Sequence, residues 1–426
     1  MSACLSDLNE YCSYAQLTVQ SAPMKLSKLL LWAAALFALA LLLYQIPWLN
    51  YRLGWRLDAA QAYARGLLDP VEDLPAPEIV LSPSSQTATP DEQASDPTPT
   101  AQASPTALPS SVSLAAPAWE KQDWNNCGPA TLGLYLRFYG WEGDQFSISD
   151  EIKPDRADRN VNVDELIYYA QNWAGWLQSQ FRVGGDIELL KAFLAEGIPV
   201  MIEEGYILEE SYWPNDDRWA GHYLLVTGFD EATRSFTAQD TFIGPNQVIS
   251  YERLDEGWQQ FNRVFLLAYL PHQEEAVLRI LGDDRDEDFN RQAAMEKARS
   301  ETLSDPENAY TWFNLGMNLV YFERYGEAAS AFDTARSLGL PQRMLRYQFG
   351  PFFAYYNANR MEDLTELVDY ALRITDVSEE ALIWRGWSFY RQGDDNAAIE
   401  QFLLAYETNP KSVYVQQALD FVEANP

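Results

Sequence analysis

The residues best suited to chemistry gather around one thiol. Cys127 stands in Gln122-Asp123-Trp124-Asn125-Asn126-Cys127-Gly128-Pro129-Ala130-Thr131-Leu132, where a helical pattern begins. His222 follows in Gly221-His222-Tyr223-Leu224-Leu225-Val226-Thr227-Gly228, and Asp240 closes a later strand-like run. A thiol attacks as its thiolate, and the free N–H groups of a helix's first turn favour an anion there. A histidine supplies the charge partner and later protonates a leaving amine. A carboxylate fixes the imidazole in one tautomer. The chain has only 2 histidines. The other, His272, follows Leu270-Pro271 at an expected domain boundary and is expected in solvent. Asp230 competes as orienter, but it opens a turn at Asp230 to Arg234 and is expected to cap it. Asp240 is therefore preferred. Gln122 lies just upstream, where its amide can join the Cys127 N–H around an oxyanion. The plain alternative is that Cys127 is a small buried core residue; Gln122, Gly128, Pro129 and the matched histidine argue against it.

These residues need elements to carry them. Ala130 to Tyr139, Val163 to Trp173 and Asp186 to Ala195 show helical spacing, the last ended by Glu196-Gly197-Ile198-Pro199. Val200 to Ile202, Tyr223 to Gly228, Phe236 to Asp240 and Val264 to Tyr269 read as strands. Helices followed by antiparallel strands predict an α+β domain over 118–271. Asp216 and Asp217 are expected in a solvated loop.

The same residues resemble the papain-like bacteriocin-processing cysteine peptidases, family thirty-nine. The likeness rests on Gln122 and Cys127-Gly128-Pro129-Ala130 at a helix start, Gly221-His222-Tyr223 on a strand and the later Asp240. Leu136-Arg137-Phe138-Tyr139-Gly140, Gly184-Gly185-Asp186 and Gly197-Ile198-Pro199-Val200 extend it. The resemblance implies a papain-like fold, with Cys127 as nucleophile, His222 as base, Asp240 as orienter and Gln122 as oxyanion donor. No cofactor is implied. Many such peptidases are fused to exporters and cut double-glycine leaders. This chain has no Gly-x4-Gly-Lys-Ser/Thr motif, so that substrate is not implied.

Beyond a charged helical connector at 272–305, residues 306–426 are expected to form an all-α domain. Trp312, Leu315, Gly316, Leu319, Ala328, Phe332 and Ala335 match the tetratricopeptide pattern. Leu382, Gly386, Phe389, Ala398, Phe402, Ala405 and Pro410 match it again, with a degenerate unit between, at Pro341 to Thr375. Such stacks offer a concave surface to a protein partner, here with Tyr355, Tyr356, Arg360 and Trp387 as expected exposed contributors. The peptidase segment is expected to keep its thiol chemistry without this tail.

At the other end, 1–25 is expected to be cytoplasmic, with Met24 as a plausible start. Residues 26–48 form an apolar run whose uncharged core, Leu29 to Leu43, is preceded by Lys25 and Lys28, expected to be a retained transmembrane signal anchor. After a juxtamembrane segment, 49–74, comes a stretch over 75–117 rich in Pro, Ser, Thr and Ala, expected to be an extended stalk. The domains after the anchor are then extracytoplasmic. A net charge of −32 repels a phosphate backbone and argues against nucleic-acid binding. The two histidines lie far apart, with no paired cysteines, so no metal site is expected. The expected activity is peptide-bond hydrolysis through a thioester at Cys127. A cell-wall peptide acyl-transfer enzyme and a non-catalytic adaptor are the alternatives.

Overall fold

The structure is a computed structural model describing residues 47–77, 108–211 and 216–424, together with 28, 30–32, 34–36, 38 and 39. The chain divides into two compact units, Met1–Leu57 and Asp58–Pro426. In the first, the described residues between 28 and 39 are helical. Among the described residues no helix is long and apolar enough to cross a membrane. The expected span at 26–48 is therefore not supported by the structure. Most of its remainder, 40–46 above all, lies outside the described residues.

The second unit is built on a 7-stranded sheet. In chain order the strands are β1 (Ser111–Ser113), β2 (Gln178–Arg182), β3 (Val200–Ile207), β4 (Trp219–Asp230), β5 (Ser235–Asp240), β6 (Gly244–Ser250) and β7 (Phe265–Tyr269). They pair in the order β2-β7-β3-β4-β5-β6, with β1 added to β4, and every pair is antiparallel. The helix Cys127–Phe138 lies on one face. It buries Leu132, Leu134, Tyr135 and Leu136 against Met201, Tyr223, Leu225 and Leu266 of the sheet. The Tyr135 hydroxyl donates to the Pro199 carbonyl and accepts from the Ala268 N–H at 2.8 Å. The helix is thereby pinned to two strand backbones. On the other face, the helices Ile187–Ala195 and Tyr251–Gln259 cover Ile202, Leu224 and Phe265.

The C-terminal region is mostly helical. After Glu274–Leu281 and Glu287–Ser304 come Ala309–Tyr321, Tyr325–Ser337, Gly350–Asn357, Met361–Ile374, Glu379–Arg391, Asp395–Thr408 and Val413–Ala424. One contact recurs 70 residues apart. A Cβ at Gly316 would lie 2.5 Å from the Phe332 ring, and one at Gly386 would lie 2.3 Å from the Phe402 ring. Each glycine lets a helix seat the aromatic ring of the next. Tyr355, expected on an exposed surface, is instead fully buried, and its hydroxyl donates to Asp333 at 2.8 Å.

This region shares its apolar core with the sheet domain. Val183, Trp219, Phe261 and Val264 belong to the same buried cluster as Ala294, Phe313 and Phe332. Polar contacts cross the same join: the Asn314 amide donates to the Gln259 carbonyl at 2.7 Å, and Arg263 pairs with Glu301 at 2.8 Å. The sheet domain thus does not end in its own closed core near residue 271.

A strap over 58–77 also lies on the helical region. Ala62 and Val71 pack with Ile374. The Leu74 N–H donates to Gln342 Oε1 at 2.9 Å, and Arg336 donates to the Pro75 carbonyl at 3.0 Å. Residues 110–114, which fall inside the 75–117 stretch expected to be an extended stalk, are instead hydrogen-bonded along β4. Both flanks of 78–107, which itself lies outside the described residues, are therefore fixed on the same unit.

Candidate active site

Cys127 is the first residue of its helix, and its thiol is partly exposed. The turn before it is held rigidly. Asn125 adopts a φ of 54°, a left-handed conformation that asparagine tolerates better than most residues. Gln145, fully buried, organises the approach. Its Oε1 accepts from the Asp123 N–H at 2.6 Å and from the Asn126 amide at 2.9 Å. Its Nε2 donates to Glu120 at 2.7 Å and to the Lys121 carbonyl at 2.9 Å. Asp123 is gripped on its other side by Arg156, at 2.6 and 2.8 Å. No sequence signal marked Gln145, because its partners surround it only in the fold.

His222 projects from β4, and Asp240 ends β5, where the register sets Asp240 opposite Leu224. His222 Nε2 lies 2.9 Å from Asp240 Oδ1. The same carboxylate oxygen accepts from the Phe242 and Ile243 N–H groups at 2.7 and 2.9 Å. The Cys127 thiol acts on the same imidazole and favours its charged form. Burial alone would lower the imidazole pKa. The bond to Asp240 and the influence of the Cys127 thiol outweigh it and push the ring up to about 10. Burial tends to raise Asp240, but the imidazole and the two backbone donors bring it below its ordinary value. The charged form of this pair is the favoured one at neutral pH.

Gln122 is set beside the thiol's turn by Thr241, a residue the sequence did not single out. The Gln122 N–H donates to the Thr241 carbonyl at 2.9 Å, and Thr241 Oγ1 donates to Gln122 Oε1 at 2.9 Å. With its oxygen engaged, the side-chain amide presents Nε2 as its donor. Two acids on β3 also escaped the sequence reading. Glu204 pairs in register with His222, and Glu203 with Tyr223. Burial pushes Glu204 up to about 7, against the pull of His222 and Arg253. Burial raises Glu203 well above the carboxylate range, with the nearby Cys127 adding to the rise.

The other candidates fall elsewhere. Asp230 Oδ1 accepts from the Ala232 N–H at 2.8 Å, capping its turn. His272 is exposed in a short 3-10 turn, Pro271–Gln273. Asp216, expected in solvent, has a side chain only 1% exposed and pairs with Arg346 of the helical region. Its partner lies 130 positions away, which is why local polarity misled. Among the described residues no group of acids, histidines and cysteines is arranged to hold a metal ion.

Residues 113–266 match the Peptidase C39 like family. The chain is similar to the crystal structure of a C39-like peptidase from Bacillus anthracis, with 16% identity over 38% of this chain and 97% of that one, at a TM-score of 0.30. It is similar to xylellain, a cysteine protease from Xylella fastidiosa, with 14% identity over 38% and 87% of the two chains and a TM-score of 0.29. The peptidase domain of Streptococcus ComA, a bi-functional ABC transporter, gives 14% identity over 37% and 99%, with a TM-score of 0.28. No curated protein matches the chain. Residues 113–266 thus match a C39-like peptidase family, and a mostly helical C-terminal region follows them.

Proposed function

We propose that this protein is a cysteine peptidase that hydrolyses peptide bonds through a thioester at Cys127. The observation that carries the reading is a buried imidazole bonded to Asp240 at 2.9 Å, with the helix-start Cys127 thiol among the groups that raise its pKa. The thiolate adds to the substrate carbonyl carbon, and the carbonyl oxygen becomes an oxyanion. The Cys127 N–H and Gln122 Nε2 are its donors. The tetrahedral species collapses to a thioester as the His222 imidazolium gives its proton to the departing amine. Water then adds to the thioester, with neutral His222 taking its proton. Collapse releases the acid and restores the thiolate. Asp240 keeps Nε2 engaged throughout, so Nδ1 is the nitrogen that exchanges protons with substrate.

The C-terminal helices are read as tetratricopeptide repeats, supported by the recurring Gly316–Phe332 and Gly386–Phe402 contacts. A protein partner or substrate docks on them. Tethering by the apolar run at 26–48, with the later residues extracytoplasmic, belongs to the same proposal. Its support is the run itself and the exposed Leu30, Leu31, Trp32, Leu36 and Leu39.

The test is alkylation and trapping. In the purified protein, iodoacetamide is expected to label Cys127 quickly at neutral pH, and His222→Ala to slow that labelling. Cys127→Ala should retain its melting temperature, lose turnover and hold uncleaved substrates for identification by mass spectrometry. Full turnover in Cys127→Ala would overturn the reading.

A further inference from the structure

The loop 153–162 is a wall of the nucleophile's turn. A Cβ at Gly128 would touch Val161 Cγ1 at 3.4 Å. The Val161 carbonyl accepts from the Tyr223 hydroxyl at 3.0 Å, and Arg156 of the same loop grips Asp123. The far side of this loop rests on the helical region. Glu380 Oε1 accepts from the amides of Asn160 and Asn162, at 2.6 and 2.8 Å. The Asn409 amide bridges the Ile152 carbonyl at 3.1 Å and Glu379 Oε2 at 2.7 Å.

We propose that Glu380 is a positioning residue that holds the 153–162 loop against the Cys127 turn, and that this hold tightens as pH falls. It goes beyond the peptidase reading, since it concerns the loop and not the reaction.

The pH sense comes from what faces Glu380. The peptidase side contributes Asp158 from the loop and Glu165 from the helix Val163–Trp173; the helical region adds the neighbouring Glu379. Asp164 also belongs to that helix, and its burial-raised carboxyl is countered by Arg291. Burial raises Glu380 and the three carboxyls that face it: Asp158, Glu379 and Glu380 to about 7, and Glu165 well above its ordinary value. One buried ammonium, Lys153, donates to the Asp158 carbonyl at 2.7 Å and faces the cluster. Lys411 is turned to Glu151 and the Asp150 carbonyl, and Tyr414 stays neutral. The docked state therefore keeps protons that the released state gives up. Its stability is full below the ordinary carboxyl range and falls as pH rises through about 7.

Hydrogen–deuterium exchange on the full chain tests this without any substrate. After correction for intrinsic chemistry, exchange over 153–162 is expected to rise roughly tenfold or more from pH 5.5 to 8.5, the scale of one pKa unit. Glu380→Gln keeps the Oε1 acceptor and removes one titrating group, so its exchange should rise less. Glu380→Ala loses the acceptor, and its loop should exchange fast at both pH values. Exchange independent of pH, or a full rise retained in Glu380→Gln, would overturn the proposal. Because exchange needs no catalysis, its failure is distinct from failure of the peptidase reading.

Discussion

The oxyanion assignment has an internal check in Thr241. Thr241 is fully buried, and its hydroxyl spends its proton on Gln122 Oε1 at 2.9 Å. Thr241→Val keeps the shape and deletes that bond. The bond does no chemistry itself; it aims the amide. One neutral hydrogen bond contributes about 0.5–1.5 kcal/mol net, so losing it should lower kcat/KM by roughly 2- to 12-fold. Removing the donor outright with Gln122→Ala should cost about 10²- to 10³-fold, the usual scale for one oxyanion donor. The decisive measurement is the double variant. If Thr241 acts through Gln122, adding Thr241→Val to Gln122→Ala should cost nothing further in kcat/KM. The assay is steady-state cleavage of one peptide by the four proteins, with melting temperatures in parallel. Equal losses from Thr241→Val in both backgrounds would refute the reasoning and leave Thr241 as a packing residue.

Other outcomes follow from the same contacts. The raised His222 makes the imidazolium persist, so the alkaline limb of kcat/KM should fall near pH 10; its contribution to stability is full below pH 6.5 and is lost through about 10. Asp240→Asn should move that limb to lower pH, and a limb left in place would deny Asp240 its role. Gly316→Ala and Gly386→Ala should each destabilise by about 1–3 kcal/mol through overpacking against Phe332 and Phe402, seen as lower melting temperatures with alkylation of Cys127 unchanged at 20 °C or so. A chain ended after Pro271 exposes Trp219, Phe261 and Val264, and size-exclusion chromatography should show it aggregated; a monodisperse, reactive fragment would contradict the shared core.

What the sequence made legible was local. The thiol at a helix start, the histidine strand and Asp240 could all be placed because apolar period and turn residues mark them directly. β2 and β6 could not. Gln178-Ser179-Gln180-Phe181-Arg182 is a largely polar edge strand, and Gly244–Ser250 is half-exposed along its length, so neither shows a clean alternation. The helix Gln145–Ile152 was missed with them, its one indispensable residue being a buried glutamine. Thr241, Asp216 and Glu380 share a different reason. Each is polar, each reads as surface, and each finds its partner more than 100 positions away. Burial of a polar residue beside a distant complement leaves no periodic trace.

The strap at 58–77 gives the low-complexity stretch an unusual mechanical standing. Because residues 75 and 110 are both bonded into one body, the chain between them is a closed handle. A single proteolytic cut in it severs the backbone without separating the parts. The nicked protein should migrate as two polypeptides once denatured, yet elute as one particle beforehand, with Ala62, Val71 and Leu74 still seated on the helices. Parting residues 1–57 from the sheet would then require a cut on the N-terminal side of the strap, or the strap's own dissociation from an already nicked chain.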